Sequence, residues 1–353
     1  MKKNIQFDSP LPAWLAANPF TAALSGVYGG VVSVRNFAYN SLPPLSKKLD
    51  RPTISIGNIR AGGTGKTPAA QFIGQYLLNN HNCDVAFLSR GYGRQTSKTV
   101  IVRPTEKANW KETGDEPAMI HANLPESWLG IGTNRTAVAK KMSPHLPDRA
   151  VFILDDGFQH RRARRDLNIV CLTESTFTDR MIPAGYLREP VSSLARADIA
   201  FIIGAEERIE KLREVQVRVE KKSIPICAIL LQRPYSWVEA RTGAVSEKPP
   251  LKKPAAVTGI ARPERFFAML DSFSISPSGI HSFADHHNFK KNDIESIHNI
   301  YLDGIVTTEK DAVRLLSPEF AFLREIWYLK IGLRFADSES EARVLSAINS
   351  IIP

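Results

Sequence analysis

Short apolar runs alternate with longer helical stretches along the chain, beginning after residue 51. The runs that fit buried strands lie at residues 53–56, 85–89, 151–154, 169–172, 199–203 and 227–231, and the stretches that fit helices include 67–78 and 133–141. Continuous apolar runs are typical of strands in a parallel sheet that helices cover on both faces. The pattern predicts an α/β domain over residues 51–240, with a mostly parallel sheet flanked by helices.

Residues 233–254 interrupt this pattern, because they are polar and contain Pro234, Pro249 and Pro250. A second alternating unit follows, with strands predicted at 255–258, 304–307 and 327–331 and helices at 263–270, 310–316 and 338–348. Thr308 and Asp311 stand at capping-box spacing at the start of one of these helices. We therefore predict a linker at 233–254 and a smaller C-terminal α/β domain over residues 250–353.

The first fifty residues differ from both units. Residues 9–34 carry no charged side chain, and the apolar part that prolines leave uninterrupted covers 20–34. A helix of that length spans about 22 Å, less than the roughly 30 Å hydrocarbon core of a bilayer. We predict that residues 1–50 form a membrane-associated helical segment lying in or dipping into one leaflet. The alternative is a helix buried in the protein core. The basic residues expected to face anionic headgroups are Arg35, Lys47, Lys48 and Arg51.

Charge and cysteine content limit the partners and the compartment. Lysine and arginine total 46 against 36 for aspartate and glutamate, which gives a formal charge of +10. An excess of this size favours an anionic partner: nucleic acid, an acidic membrane or a phosphorylated substrate. Nucleic acid is the least favoured, because no alternation of aromatic and basic residues accompanies the charge. Cys83, Cys171 and Cys227 lie far apart without zinc-ligand spacing, so we expect free thiols in a reducing cytosol.

The strongest chemical signal is the sequence GNIRAGGTGKTP at residues 57–68, between a predicted strand and a predicted helix. In such a P-loop, main-chain N–H groups surround phosphate oxygens and the helix N-terminus adds the positive end of its dipole. Lys66 would reach the β and γ phosphates of ATP, and Thr67 would bind Mg²⁺. The alternative is a glycine-rich turn with an exposed lysine, since Arg60 stands where the general pattern has its first glycine. The predicted nucleotide-binding residues are Gly62, Gly63, Thr64, Gly65, Lys66 and Thr67.

Two adjacent acids, Asp155 and Asp156, follow the apolar run at 151–154. Adjacent carboxylates repel one another unless a cation binds there, so they predict the Mg²⁺ site that accompanies a P-loop. The pattern does not say which of the two dominates, and the alternative is a solvated turn. Glu189, in a proline-bounded loop, is a third candidate metal ligand, and Arg188 beside it is a candidate for binding phosphate.

Two further residues are candidates for the substrate side of this site. Arg90 follows a predicted strand, although the glycines beside it are also compatible with a simple tight turn. His160 follows the acidic pair and precedes a basic run at 161–165. That run is either a solvated helix face or a surface that meets phosphates or a membrane.

Taken in order, these motifs resemble those of the tetraacyldisaccharide 4′-kinase family, the lipid A 4′-kinases of Gram-negative bacteria. Each motif is weak alone, but their joint presence is specific, and the family shares the departure at Arg60. The resemblance extends over most of the chain and rests on GGTGKTP at 62–68, SRGYG at 89–93, GDEP at 114–117, DDGFQH at 155–160, PAG at 183–185, LREP at 187–190, TGIARP at 258–263, DHHNF at 285–289 and TEKD at 308–311.

The resemblance implies transfer of the γ-phosphate of ATP to the 4′-hydroxyl of a tetraacylated, 1-phosphorylated glucosamine disaccharide. It implies an enzyme at the membrane surface, on the cytoplasmic face of the bacterial inner membrane, with two α/β/α domains and the active site between them. It assigns Asp115 as the base that receives the hydroxyl proton, paired with His286. From the residues alone, Asp115 is better explained as a helix-capping or turn acid, and 285–287 as an ordinary polar loop.

Other functions remain compatible with a strand–P-loop–helix unit. One is a membrane-associated P-loop ATPase that acts as a switch on a protein partner. Another is a soluble small-molecule kinase or ligase. The family resemblance favours a lipid substrate and a membrane surface as partners, with no nucleic acid and no obligate protein partner.

Overall fold

The computed structural model describes residues 18–81, 83–301 and 303–352, so the expectations for residues 1–17 lie outside it. The helices are α1 (Pro19–Ser41), α2 (Lys66–His81), α3 (Trp110–Thr113), α4 (Asp115–Asn123), α5 (Arg135–Met142), α6 (Ile209–Glu220), α7 (Pro263–Ser272), α8 (Lys291–Ile300), α9 (Glu309–Leu315) and α10 (Ser338–Asn349). The strands are β1 (Thr53–Gly57), β2 (Val85–Ser89), β3 (Val100–Val102), β4 (Trp128–Ile131), β5 (Val151–Asp155), β6 (Leu167–Leu172), β7 (Ile199–Ala205), β8 (Ile226–Glu239), β9 (Val245–Ser246), β10 (Ala255–Thr258), β11 (Gly279–Ser282), β12 (Ile305–Thr308) and β13 (Ile326–Phe335).

These strands form one continuous sheet. Their order is β11-β10-β12-β13-β8-β7-β6-β1-β5-β2-β4-β3, and β9 pairs with β8. Neighbouring strands are parallel except at the β3–β4, β8–β9 and β8–β13 pairs. The predicted mostly parallel sheet flanked by helices is therefore confirmed.

Both faces of the sheet around β1 and β5 are covered, which explains why the apolar runs are continuous. On one face, Ile54 and Ile153 share a core cluster with Ile73 of α2. On the other, Phe152 shares a cluster with Val138 of α5. Because packing holds these strands on both sides, residues at their carboxyl ends have little freedom to move.

The register places the carboxyl ends of two sets of strands opposite each other. Ala205 at the end of β7 pairs with Gln232 of β8. Thr308 at the end of β12 pairs with Leu329 of β13, which in turn pairs with Trp237 of β8. β12 and β7 run in opposite directions, so their carboxyl ends point towards each other. The two ends lie level with Trp237 and Gln232 of β8, and these two residues are about 16 Å apart along the strand. The loops that follow them therefore face one another across a cleft that β8 and β13 bridge.

β8 is much longer than the strand predicted at 227–231. It continues to Glu239, through the first part of the predicted linker. Pro234 and Tyr235 are exposed on it while Trp237 is buried, and the register with β13 shifts beside Pro234, which accommodates a residue that has no N–H to donate. The first part of the predicted linker, residues 233–239, is therefore a strand that the sequence did not predict, because exposed side chains interrupt the apolar pattern. The division into units at 51–240 and 250–353 remains a prediction.

Most other elements lie where the sequence placed them. The helices predicted at 67–78, 133–141, 263–270, 310–316 and 338–348 correspond to α2, α5, α7, α9 and α10. The sequence did not predict α3, α4, α6 and α8, nor β3, β4, β9 and β11. Cys83, Cys171 and Cys227 are free thiols, as expected.

α1 packs along the loop that carries residues 181–189. Ser25 Oγ donates a hydrogen bond to Met181 O at 3.0 Å, and Tyr28 Oη donates one to Arg188 O at 3.0 Å. Within the described ranges, no helix is long and apolar enough to cross a membrane. The face of α1 turned away from the protein exposes large apolar side chains, so the alternative of a buried core helix is wrong. These side chains are Phe20, Leu24, Val27, Val31, Val34 and Phe37.

The basic residues near α1 divide into two pairs. Lys47 and Lys48 are exposed, as a headgroup-facing position requires. Arg35 instead lies 3.5 Å from a buried carboxylate, and Arg51 forms an ion pair with Asp148 at 3.1 Å. Arg35 and Arg51 are therefore engaged by acids of the protein itself.

Candidate active site

The loop between β1 and α2 has the conformation that its glycines predict. Gly62 and Gly65 adopt φ angles of +93° and +79°, in the left-handed region that favours glycine. Asn58 Nδ2 donates a hydrogen bond to Thr64 Oγ1 at 2.6 Å, which ties the two ends of the loop together. A Cβ atom on Gly65 would lie 2.8 Å from Ile203 Cγ2, so the loop packs directly against β7. The loop thus ends at the amino terminus of α2, where a phosphate can be bound.

Arg60 contacts both its own loop, where Nη1 donates to Ala61 O at 3.3 Å, and the segment at 179–186. Its Nε donates to Asp179 Oδ2 at 2.6 Å, and its guanidinium lies 4.8 Å from the centre of the Tyr186 ring. The main chain contacts the same segment, because Ala61 N–H donates a hydrogen bond to Tyr186 O at 2.7 Å. Arg60 therefore fixes the phosphate loop to the neighbouring segment, which explains why this position need not be glycine.

Lys66 and Thr67 form the first turn of α2 and face acidic side chains. Lys66 Nζ lies 3.7 Å from Asp156 Oδ1. Thr67 Oγ1 donates to Glu116 Oε2 at 3.3 Å. Since Glu116 is adjacent in sequence to Asp115, this contact brings the phosphate loop next to the residue expected to act as base.

Asp155, the last residue of β5, is a buried carboxylate of which only one oxygen has a hydrogen-bond partner among the described residues. Ser89 Oγ donates to its Oδ2 at 3.0 Å, whereas its Oδ1 is buried with no hydrogen-bond partner among the described residues. Burial, together with the nearby charges of Glu116 and Asp156, raises the pKa of Asp155 to about 7. An ionised carboxylate in this position needs a cation, so Asp155 fits a Mg²⁺ site.

Asp156 is already neutralised by the protein. Its carboxylate accepts two hydrogen bonds from Arg188 Nη1, at 2.8 and 3.1 Å, in addition to the contact with Lys66. Burial would raise the pKa of Asp156, but the charges of Lys66 and Arg188 outweigh it and hold the pKa below its ordinary value. The described residues contain no group of three or more His, Cys, Asp or Glu side chains that could hold a metal. A Mg²⁺ ion here would therefore depend on phosphate oxygens for its remaining ligands.

Asp115 and His286 meet across the cleft. Asp115 is the first residue of α4, and His286 lies in the loop after β11 with φ of +58°. His286 Nδ1 is 3.0 Å from Asp115 Oδ2, and the same oxygen lies 3.8 Å from Arg314 Nε and 3.9 Å from Lys310 Nζ. Burial would raise the pKa of Asp115, but the His286 hydrogen bond and the charges of Lys310 and Arg314 lower it. Asp115 is therefore a carboxylate at neutral pH.

Arg314 of α9 holds the loop that presents His286. Its side chain is 1% exposed, and Nη1 donates to His287 O at 2.7 Å while Nη2 donates to Gly259 O at 3.0 Å. Asp311, also on α9, pairs with Arg314 and accepts from Thr258 Oγ1 at 3.0 Å. A buried arginine that donates through both Nη1 and Nη2 fixes the loop's position, because removing any of these partners would leave a charge or a carbonyl unpaired.

Glu189 lies in the contact between α1 and the loop it packs on. Its carboxylate is fully buried and accepts from Asn36 Nδ2 at 2.7 Å, Arg196 Nη2 at 2.9 Å and Gln159 Nε2 at 3.0 Å. Burial would raise the pKa of Glu189, but Arg196 and the amide donors lower it. Both oxygens accept hydrogen bonds within the protein, and a metal-binding role of Glu189 stays a prediction.

The remaining candidates, Arg90 and His160, lie near a cation that the sequence did not reveal. Arg135, 7% exposed at the start of α5, donates through Nη2 to Asp156 O at 3.2 Å. Arg90 is exposed just after β2, and its positive charge contributes to lowering the pKa of Arg135. Burial, with Arg135 and Arg165 nearby, lowers the pKa of His160 to about 3, so the imidazole is neutral. Positive charge therefore flanks the acidic pair.

A model of the tetraacyldisaccharide-1-P 4′-kinase family matches residues 17–349. The chain belongs to this family. A tetraacyldisaccharide 4′-kinase of Cytophaga hutchinsonii is 32% identical over 347 residues, covering 92% of this chain and 95% of its own. One of Chlorobium phaeovibrioides is 33% identical over 340 residues, covering 90% of this chain and 94% of its own.

A solved structure of a kinase named for the same family has the same fold. It is the crystal structure of the "apo" form of LpxK from Aquifex aeolicus in complex with ATP, and it matches with a TM-score of 0.76 and 26% sequence identity. The match covers 95% of this chain and 99% of that one. The similarity therefore includes both halves of the sheet and the cleft between them.

Part of this family member's site could not be found from the sequence. For Glu116, the only indication in the sequence of a place in the site is its position next to Asp115. Lys310 and Arg314 lie on α9, where the sequence indicated only a helix cap. That cap is confirmed, since Thr308 Oγ1 accepts from Asp311 N–H at 3.3 Å.

Proposed function

We propose that this chain transfers the γ-phosphate of ATP to the 4′-hydroxyl of a tetraacylated glucosamine disaccharide 1-phosphate, a step of lipid A biosynthesis. The observation that carries the proposal is the approach of the Asp115–His286 pair to the phosphate loop. Family membership and the ATP complex of the Aquifex aeolicus kinase support it. The alternative of an ATPase switch does not account for a carboxylate–imidazole pair assembled from both halves of the chain.

In this proposal Asp115 receives the proton of the 4′-hydroxyl. A sugar hydroxyl is a poor nucleophile at neutral pH, so a carboxylate held in place beside it lowers the barrier. Asp115 is ionised and its position is fixed by His286 and by the N–H of Glu116, which donates to Asp115 Oδ1 at 2.9 Å. Because a base works better when its proton affinity is higher, added positive charge at His286 would weaken Asp115.

The phosphate loop and the acidic pair serve the nucleotide. Main-chain N–H groups of residues 62–65 and the Lys66 ammonium would bind the phosphates of ATP. Thr67, Asp155 and Asp156 are the residues that would hold Mg²⁺, which neutralises charge on the transferred phosphoryl group. We assign Arg90, His160 and Arg188 to the substrate side, supported by the concentration of positive charge around Asp156.

We also propose that the enzyme works at the cytoplasmic face of the bacterial inner membrane, as a peripheral or monotopic protein. The acyl chains of such a substrate stay in the bilayer, so the enzyme must reach the surface where they lie. The exposed apolar face of α1 supports this, and the exposed Lys47 and Lys48, which follow α1 in the chain, can meet anionic headgroups. α1 also contacts the Arg188 loop, so the membrane-facing helix adjoins the site.

The test is a transfer assay with γ-³²P-labelled ATP and tetraacyldisaccharide 1-phosphate in mixed micelles, read by thin-layer chromatography. The wild type should form labelled lipid, and Lys66→Ala should reduce the rate by orders of magnitude. Lys140→Ala, an exposed lysine on α5, is the matched control and should behave as the wild type. ATP hydrolysis that depends on a protein partner, without labelled lipid, would instead support the switch.

A further inference from the structure

Lys310 of α9 lies at the centre of the acids and the imidazole that face the cleft. Its side chain is 15% exposed, and its Nζ lies 3.1 Å from His286 Nε2. The carboxylates of Asp285 and Glu116 lie 3.3 and 3.4 Å from the same Nζ, and Asp115 lies 3.9 Å away. Burial would lower the pKa of Lys310, but Glu116, Asp115 and Asp285 outweigh it and raise the pKa. Lys310 is therefore an ammonium ion.

An ammonium ion constrains the imidazole beside it, because it has three N–H donors and no acceptor. At 3.1 Å, Lys310 Nζ can make a hydrogen bond to His286 only if Nε2 is the acceptor. The imidazole proton is then on Nδ1, from which it is donated to Asp115 Oδ2 at 3.0 Å. With a second proton on Nε2, the ring N–H and the Lys310 ammonium would both be donors and could not form a hydrogen bond to each other.

We propose that Lys310 is a positioning residue that keeps His286 a neutral imidazole with its proton on Nδ1. The inference deepens the proposed function, since it rests on Asp115 as the proton acceptor. With Lys310 in place, His286 donates to Asp115 without carrying a positive charge of its own. Asp115 is thus oriented by a hydrogen bond, and the ring adds no positive charge to those of Lys310 and Arg314, which already lower the pKa of Asp115.

Lys310 opposes the effect of the two carboxylates that lie beside His286. Besides Lys310, its neighbours are Asp115 from α4 and Asp285 from its own loop, whose Oδ2 lies 3.8 Å from Nε2. The Tyr92 ring packs edge-on at 5.0 Å, and Arg314 lies beyond Asp115. Without the Lys310 ammonium, both ring nitrogens of His286 would face carboxylate acceptors, Asp115 at Nδ1 and Asp285 at Nε2.

The first experiment observes the protein without any need for activity. The wild type, labelled with ¹⁵N-histidine, is examined by long-range ¹H–¹⁵N NMR, and His286→Gln identifies the resonances. We expect a protonated Nδ1 and an unprotonated Nε2 at pH 7. A proton on Nε2, alone or together with one on Nδ1, would overturn the inference. Because this readout is independent of turnover, its failure and that of the proposed kinase activity can be told apart.

The second experiment follows kcat from pH 6 to pH 9 in Lys310→Met. The acid limb should move to higher pH, with about a tenfold loss of kcat for each pH unit by which the assay lies below the shifted limb. Activity should recover at the alkaline end, and KM for ATP should stay unchanged. Lys310→Arg, which also has only donors, should restore the wild-type profile. Lys291→Met, which removes an exposed lysine paired with Glu295 at 3.4 Å, is the matched control. A loss of kcat in Lys310→Met that is equal at every pH would show a purely structural role and refute the inference.

Discussion

Replacing Gly65 by alanine should destabilise the protein even in the absence of nucleotide. The residue has φ of +79°, which costs an L-amino acid about 1–2 kcal/mol. The new Cβ would lie 2.8 Å from Ile203 Cγ2, 2.9 Å from Cδ1 and 3.3 Å from Cβ, so no rotation of that β-branched side chain relieves every contact. Overpacking of this kind costs about 1–3 kcal/mol. The expected loss in free energy of unfolding is therefore about 2–5 kcal/mol.

Urea denaturation of the nucleotide-free protein measures this loss, and Gly63→Ala is the matched control. Gly63 lies in the same loop, has no positive φ, and a Cβ there would meet nothing within 4 Å. We expect Gly63→Ala to change the stability by no more than about 1 kcal/mol. Equal losses in the two variants would contradict the steric argument.

A double-mutant cycle with Ile203→Ala separates the clash from the backbone strain. Ile203→Ala alone should cost about 2–5 kcal/mol, because a buried side chain is truncated. It also removes the Cγ2 and Cδ1 atoms that crowd Gly65. The double variant should therefore be more stable than the sum of the single losses predicts, by about 1–3 kcal/mol. Strict additivity would refute the claim that the phosphate loop packs against β7.

Three further predictions concern residues around the site. His160 has a pKa of about 3 in the folded protein, so at pH 5 its imidazole binds no proton there but binds one in the unfolded chain. The free energy of unfolding therefore falls as the pH drops through about 6.5 towards 3. Between pH 7.5 and 5, urea titrations should show that the wild type loses about 2 kcal/mol more of this free energy than His160→Gln. In the absence of Mg²⁺, Glu189→Ala should lower the free energy of unfolding by about 3–5 kcal/mol, because it leaves buried cations unpaired. Glu214→Ala, which removes an exposed carboxylate, should leave it almost unchanged. Equal stabilities of the two variants would refute the structural role of Glu189. Val31→Asp on α1 should reduce sedimentation with anionic vesicles about tenfold or more, and Val217→Asp, an equivalent exposed change on α6, should not; unchanged sedimentation would place the membrane contact elsewhere.

The parts of the fold that were predictable are those in which local sequence and tertiary environment agree. β1 and β5 are buried on both faces, so their apolar runs are continuous and are followed by the glycine loop and the acidic pair. β8 was predicted too short because Pro234 and Tyr235 lie on an exposed part of the strand. The partner that makes this part a strand, β13, lies far along the chain, and no local pattern signals it.

The parts of the site that were missed depend on contacts between distant segments. Glu189 was predicted to be a metal ligand from its local sequence, which does not show that Asn36 of α1 donates to it. Lys310 belongs to a helix-capping sequence, and only the docking of α9 on α4 places it beside Asp115. The Asp115–His286 contact joins residues from the two halves of the chain, and its role was expected only from the family resemblance.

The most direct test of the account compares Asp115→Asn with the wild type at saturating ATP and Mg²⁺. The substitution keeps the shape of the side chain and removes its capacity to accept a proton. We expect unchanged affinity for ATP by calorimetry, together with formation of ³²P-labelled lipid slowed by about 100-fold or more. Labelled lipid formed at the wild-type rate by Asp115→Asn would contradict the assignment of this carboxylate as the proton acceptor.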